Sequence, residues 1–196
     1  MGGGEGGVFL LASAFKGFIL KLDMATSIFL NIFVQDCRIL DQLVSPDMGW
    51  YRYDPILIPL LANRTIGVSA NDGKWHAICV TWDNENGTYQ FFKDGAMEKQ
   101  GTDFMKGYTI KAGGSLVLGQ DQDNVGGGFK SSECFRGTLT NVNVWSYVLP
   151  KKAIIAFSKS CSFGMGDVYK WSDFKYGVKG KTAVEMPSSC SPINNC

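Results

Sequence analysis

The residues of this chain whose types and spacing could do chemistry gather at Asp121-Gln122-Asp123, just before three consecutive glycines, Gly126 to Gly128. Two carboxylates on alternate positions, with an amide carbonyl between them, can be aimed inward together by a tight loop, and the glycines allow the path such a loop requires. A hard cation suits that donor set. Calcium takes six to eight oxygens at roughly 2.3–2.6 Å from carboxylates, amide oxygens and backbone carbonyls. In isolation the same three residues also read as a solvated turn. A sandwich glycosidase would need two carboxylates about 5–9 Å apart across a cleft. Asp121 and Asp123 are instead spaced for one strand face, beside a glycine loop and without a third acid. His76 is the only histidine. No G-x-S-x-G elbow or comparable nucleophile context accompanies it, so it anchors no triad; beside Trp75 in a strand it reads as a packing or surface residue. These residues offer binding and not turnover.

Bulk properties narrow the class. The 196 residues suffice for one sandwich of ordinary size, with or without a ragged end, and a hydrophobic content of 45% is that of a globular protein. Nineteen basic and eighteen acidic residues nearly cancel without forming a basic face, which argues against a nucleic-acid partner. Residues 28–34 are too short an apolar run to span a bilayer, so no membrane insertion is expected. The cysteines Cys37, Cys79, Cys134, Cys161, Cys190 and Cys196 include no C-x-x-C pair, leaving zinc unsupported. They fit either an oxidised extracellular protein or a reduced cytosolic one. The sequons Asn63-Arg64-Thr65 and Asn86-Gly87-Thr88 make Asn63 and Asn86 glycosylation candidates and lean toward secretion, though such triplets also arise by chance. Residues 8–14 are apolar and end in Ala12-Ser13-Ala14, but Glu5 and the absence of Lys or Arg before them make a poor leader. Residues 1–45 therefore form a divergent, poorly defined N-terminal segment.

The elements that must position these residues are mostly strands. Residues 18–22 and 28–34 could each be one, and 56–61 is a buried-type strand interrupted by Pro59. Asn71-Asp72-Gly73 is turn chemistry before a strand at 75–82 rich in Ile, Val, Thr and Trp. A polar turn at 83–87 leads to a strand at 88–93, and Asp94-Gly95 closes a hairpin. A short apolar strand at 116–118 enters the polar loop of residues 120–133, and 138–145 is the next strand. Pro150 suits the first turn of the one good helix, with Ile154, Ile155 and Phe157 as its apolar stripe and an end near Ser160. Residues 168–171 and the surroundings of Val178 read as final strands. Several short strands joined by turns predict an all-β, two-sheet antiparallel sandwich.

At this point the motifs resemble one family. Trp75-His76-Ala77-Ile78-Cys79-Val80-Thr81-Trp82 is similar to the pentraxin signature His-x-Cys-x-Ser/Thr-Trp, although His76 stands one position early and Ala77 takes its place. Phe92-Lys93-Asp94-Gly95, Gly107-Tyr108-Thr109-Ile110, the run from Leu116 to Asp123, Phe135-Arg136-Gly137-Thr138-Leu139, Val142-Asn143-Val144-Trp145 and Gly166-Asp167-Val168-Tyr169-Lys170-Trp171 follow in the family's order. The resemblance implies a concanavalin-like jelly roll over residues 46–186, with a cysteine-containing tail at 187–196. It also implies an extracellular calcium-dependent module that binds an anionic or carbohydrate ligand, and no enzyme. A homo-oligomer would be in keeping with it. The alternative is a structural or adhesion module that contacts an extracellular protein, its calcium site decayed.

The same resemblance implies the ligand set. Asp121, Gln122 and Asp123 match the family's calcium loop, Glu133 falls on a later ligand position, and Asp54 on the acid supplied from before the signature. Lys130 stands where the family has Glu, and Pro55 where it has Asn. An ammonium at Lys130 removes a ligand and repels the cation. One weakened calcium site is the expectation. Family members bond the cysteine matched by Cys79 to one on an early strand; residues 29–34 put Asn31 there, leaving Cys37 as the upstream candidate. The implied pairs are Cys37–Cys79 and Cys134–Cys161. Cys190 and Cys196 would pair together or serve a following module.

Overall fold

The computed structural model describes residues 70, 72–108, 116–119, 127–130, 137–161, 164–174, 177–180, 182–184 and 190, with the backbone alone at 8–12, 26–34 and 179. Its strands are β1 (Val8–Ala12), β2 (Thr26–Val34), β3 (Trp75–Asp83), β4 (Thr88–Lys93), β5 (Ala96–Gly101), β6 (Leu116–Leu118), β7 (Gly137–Trp145) and β8 (Val178–Gly180). Helix α1 (Lys151–Ser158) follows β7, and the single turn α2 (Trp171–Phe174) precedes β8. All named strand pairings are antiparallel. One sheet has the order β6-β1-β8 and the other β5-β4-β3-β2-β7. This is the all-β sandwich expected.

β3 shows why. Its interior is buried without interruption from His76 to Thr81 and on to Trp82, as a central strand covered on both faces must be. Side chains alternate between the faces. Ala77 and Cys79 join Phe92, Trp145, Leu149 and Ile154 in one cluster, packed by Phe157 from α1. A second cluster of Leu118, Val142 and Phe174, flanked by Leu116, Leu139, Tyr169, Trp171 and Val178, draws on β6, β7, β8 and α2. Asn141 takes a φ of +54°, at the point where the β2–β7 register slips between Phe29 and Asn31; this bulge lets β7 bend between the clusters.

Three expectations change. The N-terminal segment supplies β1, central in the smaller sheet, and β2, paired on both sides by β3 and β7. The sheets thus include strands upstream of residue 46. β1 lies in the run that resembled a leader, while 18–22 and 56–61 lie outside the described residues. Residues 168–171 are not a strand: Tyr169 makes a single bridge to Val144 and the chain then turns into α2. The cause is Asn143, fully buried on β7, whose Oδ1 accepts from the backbone N–H groups of Gly166 (3.2 Å) and Trp171 (3.4 Å). Asp173 Oδ2 accepts from Lys170 N at 3.0 Å and closes the turn.

Gly166 is tied to that bridge. A Cβ there would collide with the backbone oxygens of Tyr169 and Val144 and lie 2.7 Å from Val144 N. Since none of these is a flexible side-chain end, Gly166→Ala should cost about 2 kcal/mol in a denaturant titration. An unchanged midpoint would show that the 164–170 segment does not pack on β7 as described.

Candidate functional site

The acidic loop is framed by the two sheets. β6 pairs with β1 through Leu118↔Leu10 and Leu116↔Ala12 and ends at Gly119, whose φ is +82°. The chain re-enters the described structure at Gly127–Lys130, where Gly128 has φ +75° and Lys130 is exposed, and then at Gly137, the first residue of β7. The described ends of this segment thus belong to different sheets, β6 to the smaller and β7 to the larger. Asp121, Gln122, Asp123, Glu133, Asp54, Asn63, Cys37 and Cys134 lie outside the described residues. Among the described residues no three His, Cys, Asp or Glu side chains converge to hold a metal ion.

The described structure gathers its strongest charge cluster around His76. Nδ1 lies 2.8 Å from Asp94 Oδ2, and Nε2 lies 2.8 Å from Asp72 Oδ1. The His76 side chain is 7% exposed, that of Asp94 25% and that of Asp72 47%. Asp94 occupies the β4–β5 turn at φ +55°; its N–H donates to Ala77 O and its Oδ1 accepts from Ala77 N. Ionised carboxylates only accept, so the arrangement favours the imidazolium, in which both ring nitrogens donate. The hydrogen bond to Asp94 is the main cause of a raised His76 pKa, opposed by burial and aided by Asp72. In turn, the hydrogen bond from His76 lowers the Asp72 pKa. With both nitrogens engaged, His76 is neither a free base nor a metal ligand. The sequence carried the two acids as turn residues, in Asn71-Asp72-Gly73 and Asp94-Gly95, but spacing alone did not join them to the histidine.

The cysteines are arranged differently from the implied pairs. Cys161, just past α1, is bonded to Cys190 with a Cα–Cα distance of 5.9 Å, so it is not available to Cys134, and Cys190 is not available to Cys196. The C-terminal tail is thereby anchored to the helix end. Cys79 is a free thiol, 1% exposed under α1, and burial pushes its pKa well up. The residue across from it on β2 is Phe29; Asn31 stands opposite Ala77. The cross-strand position is thus filled by an aromatic residue, and the expected Cys37–Cys79 bond is absent.

The fold defines a class: an all-β jelly-roll sandwich of two antiparallel sheets. The chain belongs to the Pentaxin family, whose model matches residues 60–186. It is 39% identical over 122 residues to the sushi, von Willebrand factor type A, EGF and pentraxin domain-containing protein 1 of Rattus norvegicus, a match covering 61% of this chain and 3% of that protein. It is also 39% identical over 137 residues to neuronal pentraxin-2 of Homo sapiens, covering 68% of this chain and 32% of that one. The chain thus spans less than a third of the length of these relatives. The native heptameric SAP-like pentraxin of Limulus polyphemus superposes with a TM-score of 0.62 at 20% identity, over 93% of this chain and 89% of that one, a likeness of fold. Among the described residues no helix is long and apolar enough to cross a membrane.

Proposed function

We propose that the chain is an extracellular recognition module that binds an anionic or carbohydrate ligand through calcium, without turnover. The observation that carries this reading is the acidic loop itself. Asp121-Gln122-Asp123 begins three residues past the end of β6, and in sequence the acidic stretch is bracketed by Gly119 and Gly128, both at positive φ, and by the start of β7. Asp121, Gln122 and Asp123 would hold the ion, with Asp54 and Glu133 as supporting donors. The ion would present open coordination positions to a ligand oxyanion or hydroxyl. Secretion, glycosylation and self-association into a homo-oligomer belong to the same proposal.

A second reading is favoured by Lys130, whose exposed ammonium stands close in sequence to the loop where the family carries a carboxylate. On that reading the module contacts an extracellular protein and binds no calcium. Thermal melts with and without millimolar calcium decide. A ligand that binds only the native state, at a hundred times its Kd, adds about 2.7 kcal/mol, a midpoint rise of roughly 5–10 °C for a chain of this size. Asp121→Ala should abolish that rise and leave the calcium-free midpoint unchanged. No rise in the unaltered chain would retire the calcium reading.

A further inference from the structure

We infer that Asn86 carries an N-linked oligosaccharide, placed at the pole of the sandwich away from the acidic loop. This rests on the extracellular reading and goes beyond it by choosing the site and the face. Asn86 lies in the exposed turn between β3 and β4, and Thr88 is the first residue of β4. Two asparagines share that turn but not its work. Asn84 Nδ2 donates to Tyr108 O at 3.2 Å, so its side chain holds the turn to the neighbouring segment. Asn86 contributes its backbone oxygen, which accepts from Asp103 N at 3.0 Å, while its side chain is exposed and enters none of the hydrogen bonds described. The backbone is fixed, and among the described residues the carboxamide has no hydrogen-bond partner. A bulky, solubilising group can be added there without displacing a contact.

Strand register fixes the pole. Phe33 of β2 stands opposite both Trp75 and Thr138, and Val34 opposite Gly137, so the acidic loop returns to the larger sheet at the Trp75 end of β3. Ser27 stands opposite Thr81 and Trp145, and the turn bearing Asn86 follows Asp83 at the far end. At about 3.3 Å per residue, β3 separates the two ends by roughly 26 Å. A glycan at Asn86 would cover the Asp83 end and leave the loop end open to its ligand. The chemistry is a transfer from a lipid-linked pyrophosphate oligosaccharide by the transferase of the secretory lumen. The carboxamide nitrogen bonds to the anomeric carbon and loses a proton, and the carbon–oxygen bond to the pyrophosphate breaks, the carrier leaving with the electron pair.

The test places the full chain behind a supplied secretory leader in cultured animal cells. Secreted and retained protein are both treated with peptide-N-glycosidase and mapped by mass spectrometry for conversion of Asn86 to Asp. The expected result is conversion in most molecules, a gel shift lost in Asn86→Gln and Thr88→Ala and kept in Thr88→Ser, and a calcium response the same with and without the glycan. An unmodified Asn86, whether or not Asn63 is modified, overturns the inference, as does a glycan whose removal changes the calcium-induced rise in melting midpoint. The supplied leader delivers the chain to the lumen whatever its native address, so such a failure leaves the extracellular reading standing. That reading fails separately if the native full-length protein is found in the cytosol.

Discussion

Replacing His76 by alanine lowers the unfolding free energy by about 3 kcal/mol at pH 6, because two charge-assisted hydrogen bonds are lost and Asp94 is left partly buried without its cation. Most of this comes from Asp94, since Asp72 is about half exposed and its pairing is screened by water. The pH dependence has a definite sign. The folded pKa of His76 lies above the ordinary value of 6.5, so its contribution is fully present below 6.5 and is lost as pH rises through the folded value. The folded pKa of Asp72 lies below the ordinary 3.8, so its contribution is present above 3.8 and is lost as pH falls through the folded value. The cluster therefore stabilises most between those two ordinary values. Because His76 is the only histidine, melts of the unaltered chain and His76→Gln at several pH values isolate it. The difference between them should shrink steadily above pH 6.5. A constant difference, or an alanine variant as stable as the parent at pH 6, would rule the imidazolium out.

Removing the Cys161–Cys190 bond should cost more. It closes a loop with a sequence separation of 29, and loop-closure entropy for that length is about 3.6 kcal/mol at 25 °C. The closed loop contains the Tyr169 bridge, α2 and β8, whose contacts to β7 and β1 are short and few-residued. Freed of the link, these pieces must be held by their own burial, chiefly that of Phe174. The double variant Cys161→Ser with Cys190→Ser should melt roughly 7–14 °C lower, and a reducing agent should bring the unaltered chain down by a similar amount. A reduced chain that melts where the oxidised one does would show that the bond adds nothing to the native state.

Much of the larger sheet was legible in the sequence because local and global signals agree there. The β3–β4 region pairs a continuous buried run with turn residues whose positive φ the structure uses, at Gly87 and at Asp94-Gly95. β5, mostly exposed, carries no apolar signal and was not legible as a strand. β1 was not legible, since five apolar residues at 8–12 are too short a run to show strand periodicity and read as part of a divergent segment with a poor leader. The Asp72–His76–Asp94 cluster was hidden for a different reason. Asp72 and Asp94 each have a sufficient local explanation as turn formers, and only the folding of the β4–β5 hairpin onto β3 brings Asp94 to the ring. Cysteine pairing is likewise a tertiary property. The helix end and the tail meet at Cys161 and Cys190, 29 residues apart, a contact that no spacing announces. For the site, the donor types in the loop were legible, while their geometry depends on segments that neither sheet defines.

The position of β1 and β2 has a consequence for how the chain is made. Val8 pairs with Gly180, and Ile28 with Val144, so each sheet is completed across most of the polypeptide. At a synthesis rate of about 5–20 residues per second, β1 waits roughly 10–30 s for β8 to be made. During that interval β2 stays an unpaired apolar segment until β3 is made, and β1 until β6 is made. Contacts of such long range also make folding slow once the chain is complete. Unpaired apolar strands of this kind are exposed to wrong pairings, so sheltering them until their partners emerge favours the folded form.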